Sequence, residues 1–220
     1  DESSFDLMHV LGFWVAGQVG AGLFEEITDW VADPSRTPPD YDFADFPEGQ
    51  LNYTGYFDVE NGEFGGDDLY LIPGIHTDTA MLFYRKDLLE AAGVDVPTTW
   101  DEYLTAAEAL TTDDVAGSEM IGAHDLSNFL VDWYARFLGM GGQLTSGSKN
   151  DGTLEIHFDS PEGVAAMQNM IDLLPYSPPG VTTHGFTEAL DQFMAGKVAM
   201  WPAWTALAGP LFGPDSPVSD

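Results

Sequence analysis

The sequence predicts an α/β protein, and three observations carry that class. Apolar runs short enough for strands alternate with stretches of helical periodicity along most of the 220 residues. Capping signals open several of the helical stretches. Hydrophobic residues make up 44% of the chain and aromatics 13%, enough to fill real cores despite the charge.

In chain order, Phe5 to Val10 reads as a short buried strand, followed by a Gly-rich turn from Gly12 to Gly22. Leu23, Phe24, Ile27, Trp30 and Val31 then recur at helical spacing. Residues 33–68, rich in Pro, Gly and Asp, read as long surface connections with few regular elements. Leu69 to Pro73 looks like a strand, 74–78 a connection, and Thr79 to Tyr84 a second buried strand. Asp87 to Ala92 reads as a short helix capped by Gly93.

Thr99-Trp-Asp-Glu102 spells a capping box, with Trp100, Tyr103, Leu104, Ala107 and Leu110 on one apolar helical face behind it. A strand is expected near Met120–Ala123, a loop over His124–Asn128, and a helix marked by Phe129, Leu130, Trp133 and Phe137 that ends at Gly139. Leu154, Ile156 and Phe158 alternate as a half-exposed strand does. Ser160-Pro161 starts a helix expected to bury Val164, Met167, Ile171 and Leu174. Phe186, Leu190 and Phe193 form a last amphipathic helix, stopped at Gly196 before a strand from Val198 to Trp201.

Charge sets the next bounds. There are 37 acidic residues against 6 basic ones, a net charge of −31. Such a surface repels itself in dilute buffer, whereas molar salt shortens the screening length to roughly 3 Å. The composition therefore points to a salt-adapted, halophilic protein. It excludes nucleic acid and anionic lipid as natural partners, because phosphate binding needs clustered Lys and Arg. With no cysteine there is no disulfide, thiolate metal site or cysteine nucleophile. No run of eighteen apolar residues exists to span a membrane. His9, His76, His124, His157 and His184 lack metal-ligand spacing, and no nucleophile elbow, P-loop or dinucleotide fingerprint is present. Neither a cofactor nor a metal is expected.

Three blocks in order resemble the family 1 extracellular solute-binding proteins, including the maltose-binding type. The first runs from Ile72-Pro73-Gly74 through Leu82-Phe83-Tyr84-Arg85-Lys86-Asp87-Leu88-Leu89 and Ala92-Gly93 to Pro97-Thr98-Thr99-Trp100-Asp101-Glu102-Tyr103 and Ala109-Leu110-Thr111. The second is Ser160-Pro161-Glu162-Gly163, and the third is Phe193-Met194-Ala195-Gly196-Lys197-Val198-Ala199-Met200-Trp201.

The resemblance implies a two-lobed, periplasmic-binding-protein-like (type II) architecture with the first lobe incomplete. Residues 1–75 would belong to that lobe, 76–78 to a hinge crossover and 79–220 to the second lobe. Relative to the family, the opening strand and the later chain that returns to the first lobe are missing, so the chain reads as a fragment. The implied function is capture of a sugar or oligosaccharide, or a polyol, by hinge closure, for the permease subunits of an ABC importer. The implied setting is extracellular, a monomer anchored at the cell surface through an N-terminus absent from this chain. A carbohydrate-active enzyme and an acidic cell-surface structural protein are the alternatives.

Sugar pockets need planar aromatics for ring faces and carboxylates or amides for hydroxyls. By the resemblance, Asp78 stands where related binders place an acidic ligand residue, and Trp201 or Trp204 where an aromatic stacks on sugar. Core packing is expected to claim one of the two tryptophans, and Trp204 is the preferred ligand contact. Phe13 and Trp14 follow the first predicted strand, as cleft aromatics or as a cover over the Gly-rich turn. Asp125 and Asn128 could bond hydroxyls, although Ser127 or Asn128 serves equally as a helix N-cap.

Overall fold

The structure, a computed structural model, describes residues 6–10, 12–74, 79–124, 129–149, 151–213 and 216–218. Its contacts divide the chain into two compact units, Asp1–Thr77 and Asp78–Asp220.

In the first unit, helices α1 (Gly12–Gly20), α2 (Thr28–Ala32) and α3 (Glu48–Gln50) accompany a hairpin of β1 (Tyr56–Asp58) and β2 (Glu63–Leu69). The hairpin is antiparallel, and Phe57 and Phe64 meet edge-to-face at 5.4 Å across it. Its turn contains Asn61-Gly62. Asp58 accepts hydrogen bonds from the Asn61 backbone N–H at 2.9 Å and side-chain amide at 2.7 Å, and Gly62 takes φ 69°.

Here the structure corrects several expectations. Residues 6–10 form no strand, and Leu7 is 92% exposed, because no described segment offers a ladder partner. The Gly-rich stretch is the helix α1 rather than a turn. Val15 and Val19, one turn apart, are buried with Phe57, and that burial outweighs the helix penalty of glycine. The helix expected over Leu23–Val31 is reduced to α2. The region 33–68 holds the hairpin, whose second strand stops at Leu69 where a strand was expected to begin.

The second unit is built on a three-stranded sheet in the order β3 (Ala80–Tyr84), β7 (Val198–Trp204), β4 (Ala116–Ser118). β3 runs antiparallel to β7, with Ala80 opposite Trp204, and β4 runs parallel to β7, with Ser118 opposite Met200. Helices α4 (Lys86–Ala92), α5 (Trp100–Leu110), α6 (Phe129–Gly139) and α7 (Pro161–Leu173) supply one core cluster, around Tyr103, Phe137, Met170 and Met200. Helices α8 (Phe186–Met194) and α9 (Ala208–Phe212) supply the other, around Phe83, Phe193, Trp201 and Leu207. A two-stranded ribbon, β5 (Thr145–Ser146) and β6 (Glu155–Ile156), completes the unit.

Local chemistry explains the helix starts. The Thr99 hydroxyl accepts the Glu102 N–H at 3.2 Å, while the Glu102 carboxylate takes the Thr98 backbone N–H at 2.8 Å, one residue before the expected partner. The Ser160 hydroxyl accepts the Gly163 N–H at 3.2 Å, and Pro161 occupies the first turn. Gly117 lets β4 lie against α5, since a Cβ there would come within 1.9 Å of the Ala107 carbonyl oxygen.

Three further expectations move. The strand expected at Met120–Ala123 lies four residues earlier, as β4. The strand expected across Leu154–Phe158 is only β6. Helix α7 buries Ala166, Met170 and Leu173, leaving Val164, Ile171 and Leu174 exposed. Its rotation is set by Asn169, which accepts from Arg136 Nε at 3.0 Å and donates to the Trp100 carbonyl at 3.3 Å. β3 is an edge strand rather than a fully buried one, with Met81 and Tyr84 exposed.

Candidate functional site

The strand directions gather three connections at one end of the second unit's sheet. β4 and β7 are parallel, so their carboxyl ends share that end, and antiparallel β3 begins there. The Thr79 backbone N–H donates to Thr205 Oγ1 at 3.2 Å, and the Thr205 N–H returns to the Thr79 carbonyl at 3.1 Å. The connection entering β3 is thereby tied to the one leaving β7. Ligands of α/β sheets bind outside the carboxyl ends of parallel strands, where side chains from several connections converge.

Aromatic surface is available at this end. Trp204 closes β7 half-buried, and its ring lies 5.5 Å from Phe186, tilted by 41°. Phe186 is the first residue of α8 and remains 36% exposed. Trp201, by contrast, is 0% exposed, packed 6.1 Å from Phe193. The two candidate tryptophans thus part company: Trp201 is core, and Trp204 stands at the sheet end.

A buried polar cluster follows β4. Past β4 the chain is held largely by side chains instead of a ladder. The Met120 N–H donates to Glu119 Oε1 at 3.1 Å, the Ile121 N–H to Asp132 Oδ2 at 2.8 Å, and the Ala123 N–H to the His184 carbonyl at 2.9 Å. Asp132 also pairs with Arg136 one turn along α6, and Arg136 lies 4.7 Å over the Trp100 ring. Glu119 is 0% exposed and its Oε1 lies 3.2 Å from His184 Nδ1. Burial pushes the Glu119 carboxyl up to about 8; the Met120 N–H pulls it down and the Asp132 charge adds a further rise. Burial likewise raises Tyr103, whose hydroxyl bonds Ser118 Oγ at 2.7 Å.

Of the remaining candidates, Trp14 lies on α1 in the first unit, 54% exposed. Phe13 is on the same helix, but its side chain lies outside the description. Asp78, Asp125 and Asn128 lie outside the described residues. Phe186, Glu119 and His184 were not anticipated. Phe186 was hidden as part of an apolar helical stripe, and Glu119 as one more acid, although an acid inside Ser-Glu-Met-Ile is itself a signal. Among the described residues no three His, Asp or Glu side chains are placed to hold a metal ion.

A separate cavity of about 790 Å³ opens beside β3, under Met81, Leu82 and Pro202 and against the starts of α5 and α7. Its size alone would favour it as a ligand site. Part of its polar lining is committed within the fold, since Thr99 caps α5, the Thr98 hydroxyl donates to Glu102 at 2.8 Å and the Tyr103 hydroxyl bonds Ser118, while Asp101 and Glu162 also line it. Trp100 has a guanidinium over its ring. The sheet end presents the more open aromatic surface.

The profile of the bacterial extracellular solute-binding proteins matches residues 2–219. The chain belongs to that family. Within it, the mannitol-binding protein of Pseudomonas aeruginosa is 26% identical over 213 residues, covering 90% of this chain and 41% of that one. The crystal structure of an ABC transporter solute-binding protein from Agrobacterium vitis, with bound D-mannitol, superposes with a TM-score of 0.73 at 27% identity, over 95% of this chain and 47% of that one. A counterpart from Agrobacterium radiobacter, in complex with ribitol, gives a TM-score of 0.77 at 26% identity, over 94% of this chain and 49% of that one. This solute-binding chain therefore has the periplasmic-binding-protein-like α/β fold and spans less than half the length of these relatives.

Proposed function

We propose that this solute-binding chain belongs to the substrate-capturing component of an ABC importer, and that its ligand is a polyol or sugar. One observation carries the reading: three connections converge at the carboxyl end of the sheet beside the half-exposed pair Trp204 and Phe186. Alditols and sugars combine weakly polar C–H faces with rows of hydroxyls, and an aromatic shelf flanked by carboxylates and amides suits both. The ligands named for the similar proteins, mannitol and ribitol, have this chemistry.

On this reading Asp78, Asp125 and Asn128 supply hydroxyl partners from the connections before β3 and after β4. Hinge closure over the ligand, recognised by a membrane permease, would deliver it. An exported, salt-exposed monomer agrees with the acidic surface, which disfavours nucleic acid and anionic ligands. An enzymatic reading gains nothing from Glu119, since a carboxyl with no exposure cannot reach a glycosidic oxygen.

Calorimetry with D-mannitol, ribitol and maltose in molar KCl tests the proposal. Saturable binding is expected. Trp204→Ala should weaken it by about 1 kcal/mol beyond the area lost, and Asp78→Ala by about 1.5–3 kcal/mol. No binding by any of the three, or unchanged affinity in both variants, removes the assignment.

A further inference from the structure

Glu119 and His184 join the connection that follows β4 to the turn that precedes α8. Glu119 follows β4, its backbone N–H donating to the Met200 carbonyl at 3.0 Å. His184 closes the turn Val181–Thr183 and lies two residues before Phe186. The Oε1–Nδ1 contact at 3.2 Å and the Ala123 N–H on the His184 carbonyl at 2.9 Å bind turn and connection together. Glu119 Oε2 is buried without a partner. An acid so enclosed adds nothing to the solvated surface that the other acids supply.

We propose that Glu119 is a positioning residue: in its protonated form it fixes the His184 turn that sets Phe186 against Trp204, and ligand affinity falls when that proton is lost. This rests on the reading of the sheet end as the ligand site.

The surroundings give the direction. The protonated carboxyl can donate through Oε1 to His184 Nδ1. Once Glu119 ionises, it accepts from Nδ1–H instead, and a second carboxylate charge appears near Asp132. Arg136, the cation on the neighbouring α6, is already engaged by Asp132 and Asn169. Tyr103 on α5 remains neutral, and β7 meets Glu119 through the Met200 carbonyl. The folded carboxyl titrates above its ordinary value of 4.5 and holds its proton more tightly than the unfolded chain does. Stability therefore declines as pH rises from about 4.5 to about 8 and then levels.

The test measures D-mannitol affinity of the intact protein in molar KCl at about pH 7 and about pH 9. Wild type should lose affinity about tenfold between them, and Glu119→Gln should show a ratio near one. A pH-independent wild type, or the same loss in Glu119→Gln, overturns the proposal. If none of D-mannitol, ribitol and maltose binds at either pH, the ligand reading fails, and the positioning role is judged without ligand. The near-ultraviolet dichroism of Trp204, isolated by difference against Trp204→Phe, should then titrate near pH 8 in wild type only, and a flat signal refutes it. Should Glu119→Gln not fold, infrared spectroscopy of wild type decides. A buried carboxylic-acid carbonyl band must be present at neutral pH and vanish above about pH 8, and its absence at neutral pH overturns the idea.

Discussion

Residues 1–77 carry 16 acidic side chains against one basic, and residues 78–220 carry 21 against five, giving net charges of −15 and −16 on units that differ almost twofold in length. The apolar frames differ in the opposite sense. The first unit's core cluster is Val15, Val19 and Phe57, whereas the second packs two larger clusters against its sheet. Self-repulsion per residue is thus greatest where the hydrophobic contribution is least. On that balance the first unit should depend more on screening by salt, and the second more on burial.

Salt should expose that difference most strongly. Lowering KCl from several molar to millimolar is expected to unfold the first unit before the second, seen as hydrogen exchange accelerating at Val15, Val19 and Phe57 while Phe137 and Met200 stay protected. Simultaneous loss in both would show that the units do not differ in this way. The next largest effect lies in the second core. Phe137→Ala should cost about 3–5 kcal/mol and lower the main melting transition, while Phe57→Ala should leave that transition in place. A main transition lowered equally by Phe57→Ala would mean the units fold as one. The smallest is local: Thr99→Ala removes a helix cap of the second unit for about 1 kcal/mol, read as a small shift of the same transition at molar salt. No shift at all would place the stability of α5 wholly in its packing.

Legibility from sequence follows the same division. In the second unit, caps and periodicity agreed with tertiary packing, so Thr99, Ser160, Gly93 and the helices α5, α6 and α8 were readable. The rotation of α7 was not, because two apolar stripes compete on it and Asn169, bonded to Arg136, decides between them. In the first unit the hairpin hid behind Gly65-Gly66-Asp67-Asp68, which breaks the strand alternation, although Asn61-Gly62 marked its turn. Helix α1 hid because three glycines argue against a helix, and only the Val15–Val19 spacing argues for one. Trp204 was singled out by the family resemblance, past a strand expected to end at Trp201, and β7 in fact runs on to Trp204. Phe186 looked like core, and the geometry that sets Glu119 apart from 36 other acids is purely three-dimensional.

β3 leaves one consequence for the molecule in concentrated solution. Its outer edge has no ladder partner among the described residues, and Ala80-Met81-Leu82-Phe83-Tyr84 contains no Pro, Lys or other charge to deter pairing with another strand. In weak salt, mutual repulsion between molecules at −31 each keeps such edges apart. Concentrated salt, which would screen the repulsion within each chain, also removes that long-range barrier between chains. Colloidal and conformational stability therefore pull in opposite directions along one axis, and the chain's most durable soluble state lies at an intermediate ionic strength.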